Sequence, residues 1–139
     1  MIHDTIKMWH QLVDAKDAAR LESILADNVV FHSPVVHTPQ TGKPITTAYL
    51  TAALHVLNND SFKYLRDVLS GNHAVLEFQT VIDGITINGV DMITWGTDGK
   101  ITDFKVMIRP LKAVNLVHKM MGDMLQKMKQ ESIHKREAL

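Results

Sequence analysis

Two turn signals in the second half of the chain determine how three predicted strands pair. Asp83-Gly84 separates the runs 74–82 and 85–95, and Thr97-Asp98-Gly99-Lys100 separates the second run from 101–109. Asp-Gly between two alternating apolar runs is a strong hairpin signal. The three runs are therefore predicted to form an antiparallel meander.

The turn lengths give the register of this meander. A two-residue turn at Asp83-Gly84 places Leu76 opposite Asp91. A four-residue second turn places Gly96 opposite Ile101 and Asp91 opposite Val106. Because side chains alternate between the two faces of a strand, this register assigns every residue of the meander to a face.

One predicted face is apolar except for one hydroxyl and one carboxylate. It carries Ala74, Leu76, Phe78, Thr80, Gly89, Asp91, Ile93, Trp95, Phe104, Val106 and Ile108. The other face is mixed and carries Val75, Glu77, Gln79, Val90, Met92, Thr94, Asp103, Lys105, Met107 and Arg109. We expect the apolar face to turn toward the helices, and Glu77, Lys105 and Arg109 to form a salt-bridge ladder on the other face.

Asp91 is the only ionisable residue on the apolar face. Burying an unpaired carboxylate is costly, and loss of hydration raises its pKa. Two interpretations stay open. Asp91 is either satisfied by a backbone group, His32 or a buried water, or it serves a pocket as an acid or base.

The remaining pattern predicts helices around this sheet. Helical spacing predicts a first helix, and Asp17 is expected to cap a short second helix with Leu21, Ile24 and Leu25 on one face. Further predicted elements are a strand at 29–32, a helix at 44–57, a strand at 62–69 and a long helix at 112–135. The Met-rich last helix is expected either to cover a pocket or to pack against a second subunit. The order indicates an α+β class, with one domain over residues 1–139.

Composition excludes several functions. Lys plus Arg and Asp plus Glu are each 15, so no positive excess is available for nucleic acid. The chain has no cysteine, and its histidines (His37, His55, His118 and His134 among them) show no metal-ligand spacing. We expect no metal, no cofactor and no membrane span. Asp4 and Lys7 argue against a signal peptide, which favours a cytoplasmic location.

Several stretches together resemble the SnoaL-like branch of the nuclear transport factor 2-like superfamily. They span about residues 1–112 and are Trp9–Asp14 with Asp17, Asp27–Pro34, Gly42–Ile45, Asp91–Trp95, Asp98–Ile101 and Asp103–Lys105. The resemblance implies a cone in which a curved sheet wraps around the N-terminal helices and encloses an apolar pocket. It also implies a choice among isomerases, cyclases, dehydratases, hydrolases and non-catalytic adaptors, and the fold alone does not decide between them.

Comparison with the ketosteroid isomerases of this superfamily implies a partial catalytic set. Asp91 lies nine residues before Lys100, as the oxyanion-hole Asp does in that family. Trp9 occupies the position of the catalytic Tyr, and Ser33 occupies the position of the base. The water-activating residues of the related epoxide hydrolases are replaced by Gln79, Val81 and Val106.

The sequence thus predicts a pocket for a small apolar, carbonyl-bearing molecule. Asp91 and His32 are the candidate catalytic residues, for proton transfer, dehydration or cyclisation. The candidate ligand-binding residues are Trp9, Ser33, Tyr49, Phe78, Ile93, Phe104 and Val106. The alternative is a non-catalytic ligand-binding or dimerisation module, and a homodimer is expected in either case.

Overall fold

The computed structural model describes the backbone of residues 2–138 and the side chains of residues 4–133. The helices are α1 (Ile2–Ala15), a 3-10 turn (Ala18–Arg20), α2 (Leu21–Ile24), α3 (Lys43–Leu57) and α4 (Leu111–Ala138). The strands are β1 (Leu25–His32), β2 (Gln40–Thr41), β3 (Lys63–Ser70), β4 (His73–Ile82), β5 (Ile85–Trp95) and β6 (Ile101–Arg109). The predicted α+β class is confirmed.

The six strands form one curved sheet in the order β2-β1-β6-β5-β4-β3. All neighbours are antiparallel except β1 and β6, which pair in parallel. The predicted all-antiparallel sheet is therefore a mixed one. Local turns dictate the direction of β4, β5 and β6, but β1 and β6 are far apart in the chain, and no turn constrains their pairing.

The predicted hairpin register is correct around Asp91. Leu76 and Val106 lie opposite Asp91 on its two sides. The predicted pair of Gly96 with Ile101 is wrong, because Trp95 lies opposite Ile101 and a bulge in β6 adds one residue there. The bulge lies at the turn end of the hairpin, so the faces of the rest of the meander are unchanged.

The apolar face is buried, as predicted, and only Ile108 in it is partly exposed. On the outer face, the predicted ladder is wrong. Glu77 pairs with Arg66 of β3 at 2.7 Å. Arg109 lies opposite Asn88, and the Arg109 Nη1 is 3.4 Å from the Asn88 Oδ1. Arg66 lies opposite Glu77 on the adjacent strand, so it reaches the carboxylate first.

Two local expectations near the second helix differ from the structure. Leu25 begins β1 instead of ending the helix, since its backbone is extended and it pairs with Ile101. Asp17 lies at the N-terminus of the 3-10 turn, but its side chain makes no capping hydrogen bond there and lies 4.0 Å from the Arg20 guanidinium. Among the described residues, no helix is long and apolar enough to cross a membrane.

Candidate ligand-binding and catalytic site

A cavity of about 240 Å³ lies against the apolar face of the sheet, with α3 and α4 contributing to its walls. Most of its lining side chains are apolar. The polar exceptions are Trp9, Ser33, Tyr49, Asn58, Tyr64, Asp91 and His118. Small-molecule pockets usually measure about 300–1,000 Å³. The cavity therefore suits a compact, mostly apolar ligand.

A chain of hydrogen bonds ends at Asp91 in this cavity. The indole Nε1 of Trp9 donates to the Tyr64 hydroxyl over 2.9 Å. That hydroxyl donates in turn to Asp91 Oδ2 over 2.6 Å. α1 supplies Trp9, the edge strand β3 supplies Tyr64, and the central strand β5 supplies Asp91.

Burial dominates the electrostatics of these hydrogen-bonded side chains. Loss of hydration raises the pKa of Asp91 from 3.8 to about 7, although the hydrogen bond from Tyr64 lowers it. The pKa of Tyr64 lies well above 10.0, chiefly because of burial and then because of the Asp91 charge. Asp91 is thus the group that exchanges a proton near neutral pH, and Tyr64 keeps its proton.

The two carboxyl oxygens of Asp91 have different surroundings. Oδ2 accepts the hydrogen bond from Tyr64. Within the described residues, no hydrogen bond reaches Oδ1, and the Asp91 side chain lines the cavity. Oδ1 is therefore the oxygen that is available to a bound molecule.

Most of the predicted ligand-binding residues lie together around the cavity. Those that line it are Trp9, Ser33, Tyr49, Phe78, Phe104 and Val106. Ile93 does not line it. Ile93 is 1% exposed and packs in the core further along the same face.

His32 is not part of this cavity, so its predicted catalytic partnership with Asp91 is wrong. Phe31 takes the inward position on β1 and is 2% exposed. The neighbouring His32 therefore points to the outer face, where its Nε2 lies 2.9 Å from Asp103 Oδ1. Because side chains alternate along the strand, Phe31 and His32 cannot both face inward.

Ser33 lines the cavity, but its hydroxyl has a structural role. Its Oγ accepts hydrogen bonds from the backbone N–H groups of Val35 and Val36, at 3.1 and 3.3 Å. A hydroxyl has no basicity near neutral pH. Among the described residues, no other carboxylate lines the cavity, so Asp91 has no second carboxyl group to work with.

The sequence did not single out Tyr64. Tyr64 lies opposite Phe78, so the alternation of Phe62 and Tyr64 along the predicted third strand was the available signal. The prediction that the last helix covers a pocket is consistent with its first half, which contributes Val117, His118, Met121, Gly122 and Leu125 to the lining.

No group of three metal-ligating side chains is present among the described residues. Of the histidines named in the sequence analysis, His134 lies outside the described side chains.

Comparison with known proteins gives a family and a set of similar structures. The model of the SnoaL-like domain matches residues 6–104. A comparison with curated proteins found no match.

Two solved structures are similar over nearly the whole chain. A steroid delta-isomerase from Pseudomonas aeruginosa is 31% identical, with a TM-score of 0.82, and the alignment covers 96% of this chain and 94% of that one. An uncharacterized bacterial protein with a cystatin-like fold from Silicibacter pomeroyi is also 31% identical, with a TM-score of 0.84 and coverage of 99% and 95%. An NTF2-like protein of unknown function from Mesorhizobium loti, 16% identical with a TM-score of 0.68, covers 78% of this chain and 91% of its own and shares the fold.

Proposed function

The chain belongs to the SnoaL-like branch of the NTF2-like superfamily, and from that premise we propose that its cavity binds a small apolar molecule carrying a carbonyl group and catalyses a proton transfer through Asp91. The observation that carries this proposal is the hydrogen bond from Tyr64 to Oδ2 of Asp91, a residue that lines the cavity.

The protonated form of Asp91 acts as a donor. Because Tyr64 already donates to Oδ2, the acid proton resides on Oδ1 and points to the cavity. It donates a hydrogen bond to the carbonyl oxygen of the ligand. The apolar lining excludes water and strengthens that bond.

The ionised form acts as a base. Oδ1 removes a proton from the carbon next to the carbonyl, and the electron pair of that C–H bond moves to the carbonyl oxygen as an enolate. The neutral Asp91 then returns the proton to carbon. A carboxyl group with a pKa of about 7 is populated in both forms near neutral pH, which suits this exchange. The similarity to a protein named as a steroid delta-isomerase supports the same reaction class.

The flat ketone 1-tetralone provides a test. We expect the protein to bind it and to speed exchange of its α-hydrogens for deuterium in D₂O, followed by proton NMR. Asp91→Asn should slow this exchange by roughly 10²-fold or more. The matched control is Asp103→Asn, which removes a carboxylate from the outer face of the same sheet and should leave the rate unchanged. Equal rates for Asp91→Asn and the unchanged protein would contradict the proposal.

A non-catalytic binding module is the second candidate. It is favoured by the engagement of the Ser33 hydroxyl with the backbone and by the outward position of His32. It predicts that 1-tetralone binds with equal affinity to the unchanged protein and to Asp91→Asn, with no exchange in either. The homodimer and the cytoplasmic location stay predictions.

A further inference from the structure

α1 contacts the edge strand β3 through two successive residues. Trp9 donates to the Tyr64 hydroxyl. The next residue, His10, places its ring edge-on against the Tyr64 ring, with centroids 4.9 Å apart at 83°. The His10 Nε2 also lies 2.6 Å from Oδ2 of Asp67, three residues beyond Tyr64 on the same strand. One turn of α1 therefore contacts both the site residue Tyr64 and the strand that carries it.

β3 is held in the sheet from one side only, and the Tyr64 ring also packs edge-on against Phe62 and Phe78. It is an edge strand, hydrogen-bonded to β4 on one side, and a register shift between Tyr64 and Arg66 interrupts that pairing. Seven of its eight residues are exposed, and Tyr64 alone is partly buried. An exposed edge strand with an interrupted ladder opens more readily than a central one.

We propose that the His10–Asp67 pair is a positioning device for the site, which holds β3 against α1 so that the Tyr64 hydroxyl stays bonded to Asp91. The proposal rests on the role of Asp91 given above. His10 and Asp67 are positioning residues, because among the described residues neither lines the cavity. They act on Asp91 through Tyr64.

The direction of the change in the Asp91 pKa separates this role from a simple charge effect. Removing the negative charge of Asp67 lowers the pKa of Asp91 by Coulomb's law, since a nearby like charge raises it. Loosening Tyr64 does the opposite, because the hydrogen bond from Tyr64 lowers the pKa of Asp91. An increase after the loss of Asp67 therefore reports displacement of Tyr64.

The test is a carboxyl ¹³C NMR titration of Asp91 in the ligand-free protein. We expect Asp67→Ala to raise the pKa of Asp91 by roughly 0.5–1. Asp67→Asn keeps an oxygen that can accept from His10 but removes the charge, so the pKa of Asp91 should stay unchanged or fall slightly, and it should not rise. In the Tyr64→Phe background, Asp67→Ala should add no further increase, because the group through which it acts is gone.

The control is Arg66→Gln. It removes the 2.7 Å ion pair with Glu77 from the opposite face of the same strand and should leave the pKa of Asp91 unchanged. A decrease or no change in Asp67→Ala, an equal increase in Arg66→Gln, or an increase that persists without the Tyr64 hydroxyl would each overturn the inference. The titration uses the ligand-free protein, so its result does not depend on the outcome of the 1-tetralone experiment.

Discussion

The Tyr64 hydroxyl lies 2.6 Å from Asp91 Oδ2 although the two residues are carried by strands that are not neighbours in the sheet. β4 lies between β3 and β5, and Tyr64 reaches across it along the concave face. The length of the tyrosine side chain and the curvature of the sheet make this contact possible. One carboxyl oxygen is occupied as a result, and the other is left to the cavity.

Asp91 gives the folded protein a specific dependence on pH. Its pKa is about 7 in the folded state and near 3.8 when hydrated. Between these values the folded state holds a proton that the unfolded state releases, so stability falls as pH rises from about 4 to about 7 and then levels off. The titration of Asp91 lowers the free energy of unfolding by about 4 kcal/mol over this pH range.

Asp91→Asn should remove this part of the pH dependence. We expect the variant to gain stability relative to the unchanged protein as pH rises from 5 to 8, measured by urea unfolding at each pH. Asp103→Asn again serves as the control, because its carboxylate lies on the outer face and is partly exposed. A difference between Asp91→Asn and the unchanged protein that is constant over this range would show that Asp91 titrates at an ordinary pKa.

Tyr64→Phe should raise the pKa of Asp91 above about 7, because it removes the hydrogen bond that lowers that pKa. It also leaves the Trp9 indole and Asp91 Oδ2 without a partner, which should cost about 1–3 kcal/mol of stability. NMR titration and urea unfolding measure the two effects.

Tyr49→Phe is the matched variant for this comparison. Tyr49 lines the same cavity, but the hydroxyl that bonds Trp9 and Asp91 is that of Tyr64. Loss of the Tyr49 hydroxyl should change both quantities little. Similar results for the two tyrosines would count against a special role of Tyr64.

Trp9→Phe should make Tyr64 harder to ionise. The indole hydrogen bond lowers the pKa of Tyr64, against the larger effects of burial and the Asp91 charge. Without it, the pKa of Tyr64 should rise further. Ultraviolet titration at alkaline pH, with Tyr49→Phe as background so that Tyr64 is the remaining tyrosine, should show ionisation at a higher pH or only on unfolding. Ionisation at a lower pH would argue against the observed hydrogen bond.

Gly89→Ala should displace Phe78, which lines the cavity. A Cβ at Gly89 would lie 2.5 Å from Cζ of Phe78 and 2.6 Å from the backbone oxygen of Met107. The ring and the strand must both shift, so we expect a loss of about 1–3 kcal/mol and weaker binding of 1-tetralone.

Gly122→Ala is the contrasting glycine change. Its Cβ would meet no atom within 4 Å, and the residue lies inside α4. We expect a gain of about 0.5–1 kcal/mol, because alanine is the better helix former. Urea unfolding of both variants checks the pair, and equal destabilisation would contradict the difference in their surroundings.

The face of the sheet on which Asp91 lies could be predicted from residues close to it in sequence. Asp83-Gly84 adopts positive φ at both positions, as a two-residue hairpin of this kind requires. That turn and the period of two along the strand place Asp91 among apolar neighbours. Both are local properties, so the sequence was sufficient for them.

The partners of Asp91 could not be predicted in this way. Tyr64 and Trp9 come from an edge strand and a helix whose positions depend on packing across the whole domain. The orientation of His32 also depends on tertiary packing. The local pattern allows either Phe31 or His32 to face inward, and in the structure Phe31 is the buried residue. The parallel pairing of β1 with β6 likewise joins distant parts of the chain.

The sequence by itself therefore determined that one acid lies on the apolar face of an α+β domain. Only the tertiary structure decided that a tyrosine, and not a histidine, meets this acid, and that the acid lines a cavity. The physical reason is that turn type and alternation act over a few residues, whereas helix packing and sheet curvature depend on contacts between residues that are distant in the chain.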